Sequence, residues 1–381
     1  MSEPEEPRVP PASIAVVFDR ESATPVIVEG LADRTTGRPA RANDPVRIAS
    51  ISKLVMALAA MRLVDERKVD LNRDVSEYLG WPVRHPSYPD VPITLAQLMA
   101  HRSGLRDDAG YVIPLGANLE DKLRDPAAWY ADAPPGEAPF EYANLGSPVV
   151  ATVLEAASGE RFDRLVERTV FAPLGVEACF NWIGCSREFA ESAVTLYRST
   201  GEVARDDAAD RPPNCGFPVA EGVECTLYGY EPGTNASIFS PQGGVRIGMM
   251  DLAKIGQMLM NGPESEFFGA RTLGEWAKAL VDGISRDQEF FCAYGLHAQM
   301  IQIDPNCNDQ LFDGGETHFG HAGEAYGLRS GLWWNGDGEK GIAYFTSAVP
   351  DRSAPDEGGF APEEIALVRR AMAASKAQGG E

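Results

Sequence analysis

Residues 47–61 read RIASISKLVMALAAM. Two serines and a lysine stand at the mouth of an apolar run. Leu54, Val55, Leu58, Met61 and Leu63 recur at helical spacing, which predicts a helix from Ile51 to about Arg67. Ser50 then begins that helix, and Lys53, three residues on, shares its face. A free lysine, with a pKa of about 10.4, is too basic to accept a proton at neutral pH. Burial and the positive end of the helix dipole both lower that value. A neutral Lys53 would take the Ser50 proton, and the backbone N–H of Ser50 would suit an oxyanion. The competing reading is an N-cap serine beside a solvated lysine. The Ser-x-x-Lys spacing does not decide between them, because a chain this rich in serine meets it by chance roughly half the time.

The bulk composition narrows the class. The chain has 381 residues, 44% hydrophobic and 24% charged, as expected for a globular protein. A formal net charge of −22 argues against nucleic acid and anionic membrane surfaces, which both require basic patches. No apolar run reaches the length of a membrane span. The N-terminal MSEPEEPRVPPAS has neither the basic nor the apolar region of a signal peptide as written. Six cysteines, an even number, permit a disulfide framework. Neighbours in sequence suggest three local bridges, Cys179–Cys185, Cys215–Cys225 and Cys292–Cys307. Their placement in loop-like segments such as CFNWIGC favours bridges and a periplasmic or secreted protein, the alternative being six free thiols in the cytoplasm. No Cys-x-x-Cys spacing suggests a metal.

SIAVVF (13–18) and TPVIVEG (24–30) read as a β-hairpin, and GLHAQMIQI, YGLRSGLWWN and EKGIAYFTSAV as strands near the other end. Helical patterns fill the middle, at 74–79, at 94–104 with Thr94 as N-cap, at 144–175 punctuated by Gly159, and at 246–261. PEEIALVRRAMAAS closes the chain as a helix. Strands at both ends with helices between predict an α+β fold, two-lobed, in which both termini build one antiparallel sheet flanked by helices. The expected division is an extended segment 1–12 and one catalytic domain 13–381. Its sheet lobe takes about 13–75 and 245–381, and a mostly helical lobe takes about 76–244. Residues 196–244 are loop-rich, and Phe217, Tyr228 and Tyr230 there are candidates to line a pocket or to pin the loop to the body.

Two further motifs lift the Ser50 reading above chance. FEYANLG contains Tyr142-Ala143-Asn144, the one Tyr-x-Asn of the chain, and FGHAGEAYGLRSG contains His321-Ala322-Gly323. Ser-x-x-Lys, Tyr-x-Asn and His-x-Gly, in this order and at these separations, resemble the serine β-lactamase and penicillin-recognising superfamily. The class C-like branch, with its family VIII carboxylesterases and D-aminopeptidases, is the nearest match. The resemblance runs from about residue 13 to 349. It implies that Ser50 is the acylated nucleophile and Lys53 its base or proton relay. Tyr142 would be a second base, with a phenolate favoured by nearby positive charge. Asn144 would orient Lys53 and bind a substrate carbonyl. His321 would stand where class C β-lactamases have the lysine of Lys-Thr-Gly, with Gly323 and Glu324 beside the substrate. The backbone N–H of Glu324 would be the second oxyanion donor.

The departures matter. Lys-Thr-Gly has become His-Ala-Gly followed by an acid, which disfavours anionic β-lactams and favours a cationic group. His321 would add a pH response near its own titration range. The expected activity is therefore that of a carboxylesterase or an amidase/peptidase working through an acyl-enzyme, with weak or no β-lactamase activity. The alternatives are a true β-lactamase or DD-peptidase, and a non-enzymatic penicillin-binding sensor. The expected partner is a small ester, amide or peptide; no metal or organic cofactor is expected, and nothing in the sequence fixes an oligomeric state. No Gly-x-Ser-x-Gly elbow and no His-Glu-x-x-His zinc motif occurs. The resemblance places His101 and Ser103 in the helical lobe, which implies structural residues remote from the nucleophile.

Overall fold

The computed structural model describes residues 12–204, 216–284, 290–350 and 359–378. Seven strands form the main sheet: β1 Ser13–Phe18, β2 Ala23–Glu29, β3 Ala293–Gly295, β4 Ala298–Ile301, β5 His318–Ala325, β6 Leu328–Asn335 and β7 Gly341–Thr346. Their order is β2-β1-β7-β6-β5-β4-β3, with every neighbouring pair antiparallel. The N-terminal hairpin thus pairs with the last strand of the chain, as the sequence predicts. The expected strand GLHAQMIQI is broken: Leu296 and His297 adopt positive φ and form the turn between β3 and β4.

Five longer helices surround this sheet or pack beside it: α1 Ile51–Asp65, α2 Gly146–Ser158, α3 Met249–Asn261, α4 Ala270–Asp282 and α5 Pro362–Gln378. Both faces of the sheet are covered. Ile14, Val16 and Phe18 enter one core with Leu252, Ala253 and Ile255 of α3. Ala15 and Val17 enter a second core with Trp333, Tyr344 and the α5 residues Leu367, Val368 and Ala371. This explains why residues 14–18, IAVVF, are apolar throughout: alternate side chains point to opposite faces, and neither face meets water.

Helix α1 sits inside the protein. All but three of its fifteen residues are buried, which matches an apolar sequence with no polar face. It ends at Asp65, two residues short of the expected limit, because Arg67 takes a left-handed φ of 58°. Thr94 caps its helix as expected, through a capping box with Gln97. Gly159 ends α2 in the left-handed conformation.

Cys179–Cys185 and Cys292–Cys307 are disulfide-bonded, as expected. Cys225 is disulfide-bonded as well; Cys215, its expected partner, lies outside the described residues. Denatured but unreduced protein is expected to titrate no free thiol with a thiol-reactive dye, and six after reduction; free thiols before reduction would contradict the bridged state.

Candidate active site

Ser50 occupies the N-cap position of α1 but makes no capping hydrogen bond. Ala49, just before it, takes a left-handed φ of 48°, which turns the chain sharply into the helix. The turn is held from both sides. Ile48 N–H donates to Val245 O, and Ser52 Oγ accepts from Val245 N–H. On the other side Ser330 of β6 donates its hydroxyl to Ile48 O at 3.0 Å.

The glycine of His-Ala-Gly has its reason here. A Cβ on Gly323 would lie 2.3 Å from Ser330 Oγ and 2.4 Å from Ile48 O. Strand β5 therefore passes against the backbone that carries Ser50, and only glycine fits. Strand β4 pairs with β5 only over His318–Gly320. Beyond that point the β5 edge beside the Ser50 turn has no partner strand among the described residues.

Lys53 is fully buried. Its Nζ lies 2.8 Å from Asn144 Oδ1, 3.2 Å from Gln242 O and 3.2 Å from Ser50 Oγ. Burial pulls its pKa down to about 7, with the Asp107 carboxylate opposing. A neutral amine has two N–H groups and one lone pair. Asn144 Oδ1 and Gln242 O can only accept, so they take both N–H groups and leave the lone pair facing the Ser50 hydroxyl. Asp107 fixes this arrangement: its carboxylate accepts from Asn144 Nδ2 at 2.9 Å and from the backbone N–H groups of Asn144 and Leu145 at the start of α2. The Asn144 amide is thereby oriented with its oxygen towards Lys53. Asp107 and Gln242 were not singled out in the sequence, since neither belongs to a recognisable motif.

Tyr142 interacts with the Ser50 hydroxyl, and Lys53 Nζ lies 4.7 Å from the centre of its ring. The expected phenolate is not favoured. Burial and the nearby Asp107 charge raise the Tyr142 pKa well above that of an ordinary phenol, so it is a neutral O–H donor.

The other expectations for this region need correction. His321 is buried, and both its ring nitrogens are engaged: Nδ1 donates to Ala322 O at 2.5 Å, and Nε2 accepts from Tyr294 O–H at 2.9 Å. Burial and the Lys53 charge push its pKa down to about 3, far from the range in which it was expected to titrate. Glu324 is not a lone carboxylate, since Arg329 pairs with it at 2.5 Å. Of the two readings of the loop aromatics, pinning fits Tyr230, which donates to Glu155 of α2 at 2.7 Å, and Phe217, which packs on the main core, whereas Tyr228 is 95% exposed and does neither. His101, expected to be remote, has its ring 4.5 Å from that of Tyr142. The only potential metal-ligating cluster among the described residues is Cys292, Cys307 and Asp309, and its two sulfurs are bonded to each other.

Residues 3–362 match the Beta-lactamase family, and the chain belongs to that family. It is 34% identical to esterase EstB of Burkholderia gladioli over 167 residues, 40% of this chain and 42% of that protein. It is 33% identical to the D-alanyl-D-alanine-carboxypeptidase/endopeptidase AmpH of Escherichia coli over 140 residues, 35% of each chain. The chain thus matches less than half the length of either relative. The fold is similar to that of D-amino acid amidase from Ochrobactrum anthropi, with a TM-score of 0.67 at 17% identity over 98% of this chain and 95% of that one.

Gly323→Ala is expected to lower the thermal midpoint, consistent with an overpacking cost of about 1–3 kcal/mol. It should also lower the hydrolytic kcat/KM roughly tenfold or more by displacing the Ser50 turn. Unchanged melting and turnover would show that β5 can retreat freely.

Proposed function

We propose that this protein is a serine hydrolase of small carboxylic esters and amides that works through an acyl-enzyme on Ser50. The observation that carries the reading is the buried Lys53 amine, 3.2 Å from Ser50 Oγ, with a pKa of about 7 and both N–H groups committed elsewhere. In the first step the Lys53 lone pair takes the Ser50 proton as Oγ attacks the substrate carbonyl. The N–H groups of Ser50 and Glu324 stabilise the oxyanion. The neutral Tyr142 hydroxyl gives its proton to the departing alkoxide or amine, and Lys53 returns one to Tyr142. Water then repeats the sequence on the acyl-enzyme and releases the acid. Asn144 orients the base, and His321 supports β5 rather than exchanging protons.

Substrate charge has little to act on here. The lysine of Lys-Thr-Gly is replaced by a neutral imidazole, and Glu324 is neutralised by Arg329. That favours uncharged acyl groups and gives a β-lactam carboxylate no partner at His321. The similarity to an esterase points the same way. The disulfides support a periplasmic or secreted location.

The first test is a rate comparison on p-nitrophenyl butyrate, a D-alanine amide and nitrocefin. Ester or amide turnover is expected to exceed that of nitrocefin, and Ser50→Ala should lower it by roughly 10³-fold or more. Faster turnover of nitrocefin would overturn the substrate reading, and a fully active Ser50→Ala would overturn the mechanism.

The pH dependence follows from Lys53. Below about pH 7 it holds a proton and cannot act as a base; above that it is free. The kcat/KM for an ester should therefore rise with pH through a midpoint near 7. Asp107→Asn should move the midpoint down, because the carboxylate that favours the ammonium form is lost. His321→Gln should leave it in place.

A further inference from the structure

Tyr142 must keep its hydroxyl at Ser50, yet it stands in the non-helical stretch that precedes α2. His101 holds it on one side. Its carbonyl accepts from Glu141 N–H at 3.0 Å, its Nδ1 accepts from Ala143 N–H at 3.2 Å, and its ring lies against the phenol. Phe291 stacks on the same phenol with ring centres 4.7 Å apart and planes within 9°. Phe140 and Tyr294 each touch both His101 and Phe291, so the Tyr142 ring is held within one aromatic cluster.

Phe291 is itself anchored. The next residue, Cys292, is bonded to Cys307. Two residues further on, Tyr294 N–H donates to Gly283 O at the end of α4, and its hydroxyl donates to His321. Gly283 and Gly295 allow this contact, because a Cβ on either would lie about 2 Å from a carbonyl oxygen, 1.9 Å for Gly283 and 2.2 Å for Gly295. His297 N–H then donates to Met99 O at 2.9 Å, two residues before His101. The segment 291–297 thus ties the disulfide, strand β3 and the surroundings of the Tyr142 ring into one unit.

From this geometry we infer that Phe291 is a positioning residue for acyl transfer: with His101 it holds the Tyr142 ring so that the hydroxyl stays on Ser50, and the Cys292–Cys307 bridge holds Phe291. The inference rests on the proposed role of Tyr142. A phenol that drifts by an ångström loses its line to the leaving group, a displacement that costs about 10²-fold in comparable settings.

The experiment is rapid-quench burst kinetics with benzyl acetate, whose acyl group is too short to need a side wall and whose alkoxide leaves only with a proton. Phe291→Leu removes the ring and keeps much of its volume; Phe291→Tyr keeps the ring. The acylation rate constant is expected to fall about tenfold in Phe291→Leu with KM within twofold, and to recover in Phe291→Tyr. The Cys292→Ala/Cys307→Ala double variant should fall as Phe291→Leu does. Should Phe291→Leu fail to fold, Phe291→Met and the double variant carry the test. A wild-type rate constant without the ring, or a raised KM at an unchanged rate constant, would overturn the inference. A burst that survives in Ser50→Ala would instead overturn the serine mechanism, so the two failures are separable.

Discussion

The site depends on removing one amine from water. Lys53 lies in the first turn of a helix that is buried nearly all round, where an ammonium would have to be stripped of its hydration. The positive end of the helix dipole adds to that cost. Ser50 Oγ, three residues away, and from distant parts of the chain Asn144 Oδ1 and Gln242 O surround the amine and leave it satisfied in its neutral form. The balance between desolvation and the Asp107 charge brings its pKa to about 7. Each neighbouring feature keeps this arrangement in place: Asp107 sets the Asn144 amide, Val245 and Ser330 hold the Ser50 turn, and Gly323 allows β5 to approach it.

Apart from Asp107, the ionisable groups gathered around that amine are held neutral. His101, His297 and His321 are buried, and each has its pKa lowered, first by burial. Tyr142 and Tyr294 are kept as phenols for the same reason. Such a setting leaves one group, Lys53, to change protonation near neutrality.

Much of this was legible in the sequence. The three motifs located Ser50, Lys53, Tyr142 and Asn144, and these do converge, because their spacing is tied to elements with strong local signals: an apolar helix, a glycine-capped helix and a strand. The terminal hairpin and the last strand were recognisable from β-branched runs, and two disulfides from cysteine proximity. The roles of His321, Glu324 and Tyr228 were not legible. A histidine in a motif reads the same whether its nitrogens face substrate or are consumed by Ala322 O and Tyr294. A glutamate gives no sign of an arginine waiting five residues away across a strand pair.

The sequence by itself determined which elements form and which residue types stand at their ends, since helix period, strand alternation and capping are local properties. The tertiary structure alone decided the chemistry of those residues. Protonation state and hydrogen-bond commitment depend on what surrounds a group in space: Asp107, Gln242, His101 and Phe291 reach Lys53, Asn144 and Tyr142 from segments far apart in the chain, and burial, which sets the Lys53 pKa, exists only once those segments have packed.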